Sequence, residues 1–241
     1  SMVQQLIGLP GFELPESSGN LSGVGFGGAG LHPRLIDEVL AKFKGRMSGI
    51  GFGLTESNGV CAGSSGRMFE AHPRSSGVLS PIIEVRIADL DGTALPIGEP
   101  GEIWLRGVTL MERYCGDAEA TAKAMQGGWF HTGDIGVLDD EGFLTIVDRI
   151  KDVINRSGEK IAAAEVEACL LQHEALEEAA VVVGKSWSQV TPELLRVFVA
   201  QRLAGYKVPS RIVVRAEPLP RNPAGKMLKA SIRKECAHLL T

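Results

Sequence analysis

Apolar positions in the first 150 residues come in short runs broken by glycine-rich or acidic turns. Residues 21–26 read as a short apolar strand that runs into Gly27-Gly28-Ala29-Gly30, a loop where backbone can come close to a ligand. His32-Pro33 opens a helix, with Leu35, Ile36, Val39, Leu40 and Phe43 recurring as one buried stripe. Residues 50–53 form a further buried strand that ends at Thr55-Glu56. Residues 82–88 and 103–106 alternate as strands do, with the hairpin signal Asp91-Gly92 between them. Residues 117–125 read as a helix with an acidic N-terminus. A second hairpin turns at Asp139-Asp140-Glu141-Gly142 and returns along residues 143–147.

The texture changes after Arg149. Residues 151–161 read as a polar hairpin, 163–172 as a helix and 179–183 as a buried strand. A helix at 191–200, a strand at 211–214 and a closing helix at 229–240 follow. Mixed strands and helices behind one boundary predict a small α+β domain of about 90 residues. The boundary is placed at Ile150-Lys151, which gives domains of residues 1–150 and 151–241.

Composition narrows the function without naming it. A chain of 241 residues is long enough for one large or two modest domains with real cores. A net charge of −4 implies no basic face and argues against a nucleic-acid partner. Cys61, Cys115, Cys169 and Cys236 lack the paired spacing of zinc or redox sites and read as reduced thiols of a cytoplasmic protein. No apolar run approaches the roughly 20 residues that span a bilayer, so no integral membrane segment is expected, nor a signal peptide.

Four polar blocks carry the chemistry. Gly51-Phe52-Gly53-Leu54-Thr55-Glu56 combines two glycines beside which a planar base can lie flat, an aromatic ring that can stack on it, a hydroxyl for a phosphate oxygen and a hard oxygen ligand suited to Mg²⁺. In His131-Thr132-Gly133-Asp134, read as lying just before a strand, the carboxylate can accept two hydrogen bonds from the vicinal hydroxyls of a ribose. His131 reads as a neighbour of the nucleotide. In Asp148-Arg149-Ile150-Lys151-Asp152, Arg149 offers planar donors for ribose or phosphate oxygens. Leu219-Pro220-Arg221-Asn222-Pro223-Ala224-Gly225-Lys226 holds one ammonium at the end of a proline-stiffened turn. Taken singly, each has a plainer reading: a strand running into a polar loop, a turn cap, a solvated linker charge, a surface lysine.

In this order the four blocks resemble the acyl- and aryl-CoA synthetase branch of the adenylate-forming enzymes. That superfamily also includes firefly luciferase and the adenylation domains of peptide synthetases. The resemblance runs from about Val24 to Lys229. It implies an α/β and α+β fold: the C-terminal part of the large AMP-binding domain, with a small β-barrel-like region, followed by a small mobile α+β domain. It implies a ligase that converts a fatty or aromatic carboxylic acid and ATP to an acyl-adenylate and then to a coenzyme A thioester, with Mg²⁺. By the same resemblance Lys226, Thr55 and Glu56 are catalytic, with Glu56 on the metal. Gly28, Gly51, Phe52, Gly53, Asp134 and Arg149 bind the nucleotide, Lys151 is the hinge, and Gly158 leaves room for the pantetheine thiol.

The chain also departs from the family's pattern. No Ser/Thr/Gly-rich phosphate loop ending in Pro-Lys-Gly precedes Gly27, and Gly30 stands where proline is common. Asn155 stands where some relatives carry lysine. After Val183-Gly184, residues 185–190 run straight into a helix where relatives place another strand. A truncated part of such a ligase, poorly active alone, is therefore expected. A peptide-synthetase adenylation module and a non-catalytic nucleotide-binding module are the alternatives. Gly28 and Val60 border the acyl pocket by analogy, and the acid itself is not legible.

Overall fold

The structure is a computed structural model. It describes residues 2–13, 21–27, 33–44, 46–89, 91–156, 158–173, 176–179, 182–184, 191–215, 217–222 and 227–236. Contacts divide the chain into two compact units, Met2–Lys151 and Asp152–Thr241.

The first unit holds two sheets. After α1 (Met2–Ile7), β1 (Gly23–Gly27), α2 (Pro33–Lys42) and β2 (Met47–Leu54) make a parallel β-α-β crossover. The antiparallel strands β3 (Gly59–Ser65) and β4 (Val78–Leu79) extend it to the order β1-β2-β3-β4, with α3 (Arg67–Ala71) between them. Of the helical stripe read from the sequence, Leu35, Ile36, Val39 and Phe43 are all at most 3% exposed, and Leu40 is half-buried. Leu35, Val39 and Phe43 pack with Phe26 and Ile7 into one core cluster. The second sheet is antiparallel: β5 (Ile83–Ala88), β6 (Gly101–Gly107), β7 (Met125–Gln126), β8 (Trp129–Leu138) and β9 (Leu144–Arg149). Long β8 takes β6 on one edge and both β7 and β9 on the other. Its inward face joins Ile83, Ile87, Ile103, Leu105 and Phe130 with Cys61 and Ala62 of β3, so one core binds the two sheets together. Between β6 and β7, α4 (Ala118–Ala124) is capped by Asp117, whose carboxylate accepts from the backbone N–H of Ala120 at 2.8 Å.

The second unit opens with a hairpin of β10 (Ile154–Arg156) and β11 (Glu159–Ile161). Helix α5 (Ala163–Leu170) follows, then β12 (Leu176–Glu178) and β13 (Val182–Gly184), which pair antiparallel. After α6 (Pro192–Ala200), β14 (Val214–Arg215) joins β13 in parallel, and α7 (Lys229–Cys236) ends the described chain. Thr191 caps α6, accepting from the N–H of Leu194 at 3.2 Å, and Pro192 takes the first helical position, where a missing N–H costs nothing. Val166, Cys169, Leu170, Leu195 and Val199 form the core between α5 and α6.

Four local readings change, the simplest being the strand expected at 211–214, which is only the two-residue β14, with residues 211–213 in no strand. The motif His131-Thr132-Gly133-Asp134 lies inside β8 rather than ahead of a strand. The reason is that side chains replace the missing ladder bonds there, as described below. Strand β3 went unread because Gly59-Val60-Cys61-Ala62-Gly63-Ser64-Ser65 carries small residues without an alternating apolar face. Cys61, the extra residue at a register shift, and Ala62 beside it are nonetheless fully buried. The strand expected at 179–183 is β13, with Ala179 at the turn out of the unanticipated β12. Residues 185–190, where the relatives' extra strand was sought, lie outside the described residues, as do residues 237–240, over which the closing helix was expected to continue.

Candidate functional site

Glycines recur at every second position of β1 (Gly23, Gly25, Gly27) and β2 (Gly49, Gly51, Gly53). The parallel register pairs Gly25 with Gly49 and Gly27 with Gly51, so the side-chain-free positions fall on the same face of both strands. That face is the floor of an open groove of about 610 Å³, rimmed by Val60 and Thr55. The other face carries Phe26 and Ile50, packed toward α2, and Phe52 and Leu54, packed against the inter-sheet core. Phe52 and its flanking glycines therefore address opposite faces, whereas the sequence reading put them against one planar base. The cause is simple alternation: the extra residue at the register shift sits on β3, and β2 stays regular. Gly53 is also required sterically, since a Cβ there would lie 2.0 Å from the Gly59 carbonyl oxygen.

β2 delivers Thr55 and Glu56 to a single 3-10 turn, Thr55–Ser57. Ser57 is buried and ties that turn down, its hydroxyl accepting from the Leu54 N–H at 2.9 Å. Thr55 is exposed and Glu56 half-buried. Two contacts fix Glu56: its carbonyl accepts from the Met111 N–H at 2.7 Å, and its Oε1 accepts from the Tyr114 hydroxyl at 2.9 Å. Burial, together with the Glu56 carboxylate, pushes the Tyr114 phenol above its ordinary value, so it remains a donor. Sequence reasoning missed Tyr114, because a residue 58 positions from its partner leaves no local signal. Among the described residues no cluster of three or more His, Cys, Asp or Glu side chains could cage a metal. A single presented carboxylate fits Mg²⁺ of the kind held by one or two carboxylates and substrate phosphates.

Asp134 and Arg149 come from separate sequence blocks and meet directly. They are paired across β8 and β9, and Arg149 Nε donates to Asp134 Oδ1 at 2.9 Å. Asp134 is buried at 6% exposure, while the Arg149 side chain keeps 32%. Upstream, the Thr132 hydroxyl donates to the Ile103 carbonyl at 2.7 Å and accepts from the Asp134 N–H at 3.0 Å. The Gly133 N–H donates to Glu102 Oε1 at 3.1 Å. His131 stacks on Trp104 at 4.0 Å between ring centres.

At the end of the first unit, Lys151 is exposed within the short Ile150–Asp152 turn; at the start of the second, Asp152 is buried beside Arg233 (3.3 Å) and Lys229 (3.8 Å). Gly158 donates its N–H to Asn155 Oδ1 at 3.1 Å across the β10–β11 connection. Arg221 and Met227 form an isolated antiparallel bridge, and the Leu228 N–H donates to the Pro220 carbonyl at 2.8 Å. Lys226 itself lies outside the described residues, as does Gly28. Burial raises the Cys61 and Cys169 thiols, which makes both poor nucleophiles. Among the described residues no helix is long and apolar enough to cross a membrane.

Comparison with known proteins gives the family. The sequence model of the family described as AMP-binding enzyme matches residues 1–115. The chain is 36% identical over 231 residues to 4-coumarate–CoA ligase 1 of Solanum tuberosum, which covers 88% of this chain and 42% of that one. It is 33% identical over 232 residues to 4-coumarate–CoA ligase 1 of Glycine max, covering 88% of this chain and 79% of that one. The solved o-succinylbenzoate CoA synthetase of Bacillus subtilis, in complex with its acyl-adenylate intermediate, superposes with a TM-score of 0.80 at 31% identity. That match covers 92% of this chain and 47% of the synthetase. The chain thus spans less than half the length of the potato and Bacillus proteins, and by its identity to these ligases it belongs to the adenylate-forming, AMP-binding enzymes.

Proposed function

We propose that this protein serves an ATP-dependent acid–thiol ligase. A carboxylic acid and ATP give an acyl-adenylate and pyrophosphate; the thiol of coenzyme A then attacks the acyl carbon and releases AMP. The observation that carries the reading is the Asp134–Arg149 pair, which brings a buried carboxylate and a partly exposed guanidinium together from two separate motifs. A carboxylate set this way suits vicinal ribose hydroxyls, and the exposed part of a planar guanidinium suits phosphate or ribose oxygens. Thr55, exposed at the end of β2, is assigned a phosphate oxygen. Mg²⁺ held by Glu56 and the phosphates would neutralise charge on the polyphosphate. Tyr114 keeps the Glu56 carboxylate aimed, because its hydrogen bond fixes one oxygen.

The second half of the assignment rests on the motifs. Lys226 supplies the ammonium that stabilises the charge building between carboxylate and α-phosphate, a contribution typically worth about 3 kcal/mol of barrier. Lys151 is assigned the hinge between half-reactions, and Gly158 the passage of the pantetheine arm. The domains are the C-terminal portion of the AMP-binding domain and the small C-terminal domain, which divide at Lys151.

An aromatic acid is the substrate class the groove fits best. A floor of paired glycines exposes flat backbone to a planar ring, and Phe52, packed against the inter-sheet core on the opposite face, takes no part in that floor. The names of the ligases from Solanum tuberosum and Glycine max, 4-coumarate–CoA ligase, point the same way. The test is acid-dependent exchange of pyrophosphate into ATP with 4-coumarate, benzoate and dodecanoate as alternative acids. Weak exchange, in keeping with a chain poorly active alone, that requires an acid, is greater with the aromatic acids and is lost in Lys226→Ala is the expected result. Exchange independent of added acid would overturn the ligase assignment, and a preference for dodecanoate would overturn the aromatic one.

A further inference from the structure

We infer that Glu102 is a positioning residue for the Asp134 carboxylate, an inference that rests on the ribose-binding role proposed for Asp134. The register of β6 and β8 pairs Glu102 with Ile135 and Trp104 with His131. Ile103 alone therefore stands opposite Thr132, Gly133 and Asp134. Two residues of β8 are in excess, and the regular ladder cannot satisfy their backbone groups. Gly133 sits at the turn of this bulge with φ +70°, a conformation that glycine adopts without penalty. The peptide of Gly133 sets where the chain emerges at Asp134.

That peptide is held by one side chain from the neighbouring strand. Glu102 Oε1 accepts the Gly133 N–H at 3.1 Å, and Oε2 accepts the Trp104 indole N–H at 2.9 Å. His131 Nδ1 stands 3.7 Å from the same Oε2, with its ring stacked on Trp104. The carboxylate is largely enclosed, at 18% side-chain exposure. His131 Nε2 is buried and lacks a hydrogen-bond partner among the described residues, so no competing polar contact pulls the imidazole off the Glu102–Trp104 assembly. On the far side of the bulge, the Thr132 hydroxyl bonds the Asp134 N–H of its own strand and the Ile103 carbonyl. Glu102 is thus a side chain of another element that fixes the Thr132–Gly133 peptide, one residue before Asp134. Without it, the Gly133 N–H and the indole N–H both lose their acceptor, and the bulge relaxes with Asp134 on it.

Calorimetric titration with AMP and with 2′,3′-dideoxy-AMP tests this, because only the first carries the hydroxyls that Asp134 is proposed to hold. The unsubstituted protein should prefer AMP by about tenfold or more, the range for hydrogen bonds to a charged group. Glu102→Ala should cut that preference to about twofold while leaving the dideoxy affinity unchanged. Glu102→Gln, which keeps one acceptor for the Gly133 N–H, should restore most of it. In an Asp134→Asn background, Glu102→Ala should have no further effect. Trp104→Phe, a milder change, should give an intermediate loss and serves if Glu102→Ala does not fold. Equal weakening of both nucleotides, or an undiminished preference in Glu102→Ala and Trp104→Phe, would overturn the inference and leave the role of Asp134 intact. No preference in the unsubstituted protein would overturn both.

Discussion

Tyr114 and Glu56 show how much of this site depends on single contacts. The phenol donates to the Glu56 carboxylate, and Tyr114 is itself anchored by its N–H to the Thr121 hydroxyl at 3.0 Å. Its titration lies above the ordinary tyrosine value, first because of burial and then because of Glu56. A raised acid contributes stability that is fully present below the unfolded value, near 10, and lost as pH rises through the folded one. Tyr114→Phe should therefore cost about 1 kcal/mol at neutral pH. It should also remove part of the alkaline fall in stability, which thermal unfolding between pH 8 and 11 would read. An unchanged alkaline limb would mean that this phenol does not titrate against Glu56. The same scale marks the limit of the sequence. Asp134 and Arg149 were legible as chemistry because their residue types suit ribose and phosphate. Glu102 and Tyr114 were not, because their importance lies in partners 31 and 58 positions away.

At the scale of elements, the glycine-bearing strands make the sharpest expectations. Gly53 and Gly25 lie on the same face, yet a methyl group meets different surroundings at each. At Gly53 it would meet the Gly59 carbonyl at 2.0 Å, so Gly53→Ala should force β2 and β3 apart at a cost of about 3 kcal/mol, seen as a lower denaturation midpoint. At Gly25 it meets nothing within 4 Å, so Gly25→Ala should fold normally. Its methyl would nevertheless stand on the groove floor and raise KM for an aromatic acid about tenfold, with KM for ATP unchanged. Equal effects on both KM values would argue against that floor as the acid's seat. Helices α2, α4 and α6 were readable because apolar spacing, an acidic cap and a Thr-Pro start are local signals. Strand β3 was not, since its burial comes from position between β2 and β4 rather than from apolar side chains. The alternation of β2 was visible all along, and it separates Phe52 from the glycines more firmly than the motif suggested.

At the scale of the molecule, two units of unlike architecture follow from the change in pattern after Arg149, and the contacts divide the chain between Lys151 and Asp152. What the sequence could not supply was the tertiary pairing, above all long β8 serving three neighbours, because strand partners are chosen by non-local burial. The acid was not legible either. The groove floor became visible only once the register aligned the glycines of β1 and β2. The central claim is that the first unit carries an adenylate site organised around Asp134. Thermal unfolding with a non-hydrolysable coumaroyl-sulfamoyl adenosine tests it most directly, in the unsubstituted protein and in Asp134→Ala. At 100 times its dissociation constant, a ligand bound only to the folded state should add about 2.7 kcal/mol. The account predicts that stabilisation in the unsubstituted protein and its loss in Asp134→Ala. No stabilisation, or an equal one in both proteins, would contradict it.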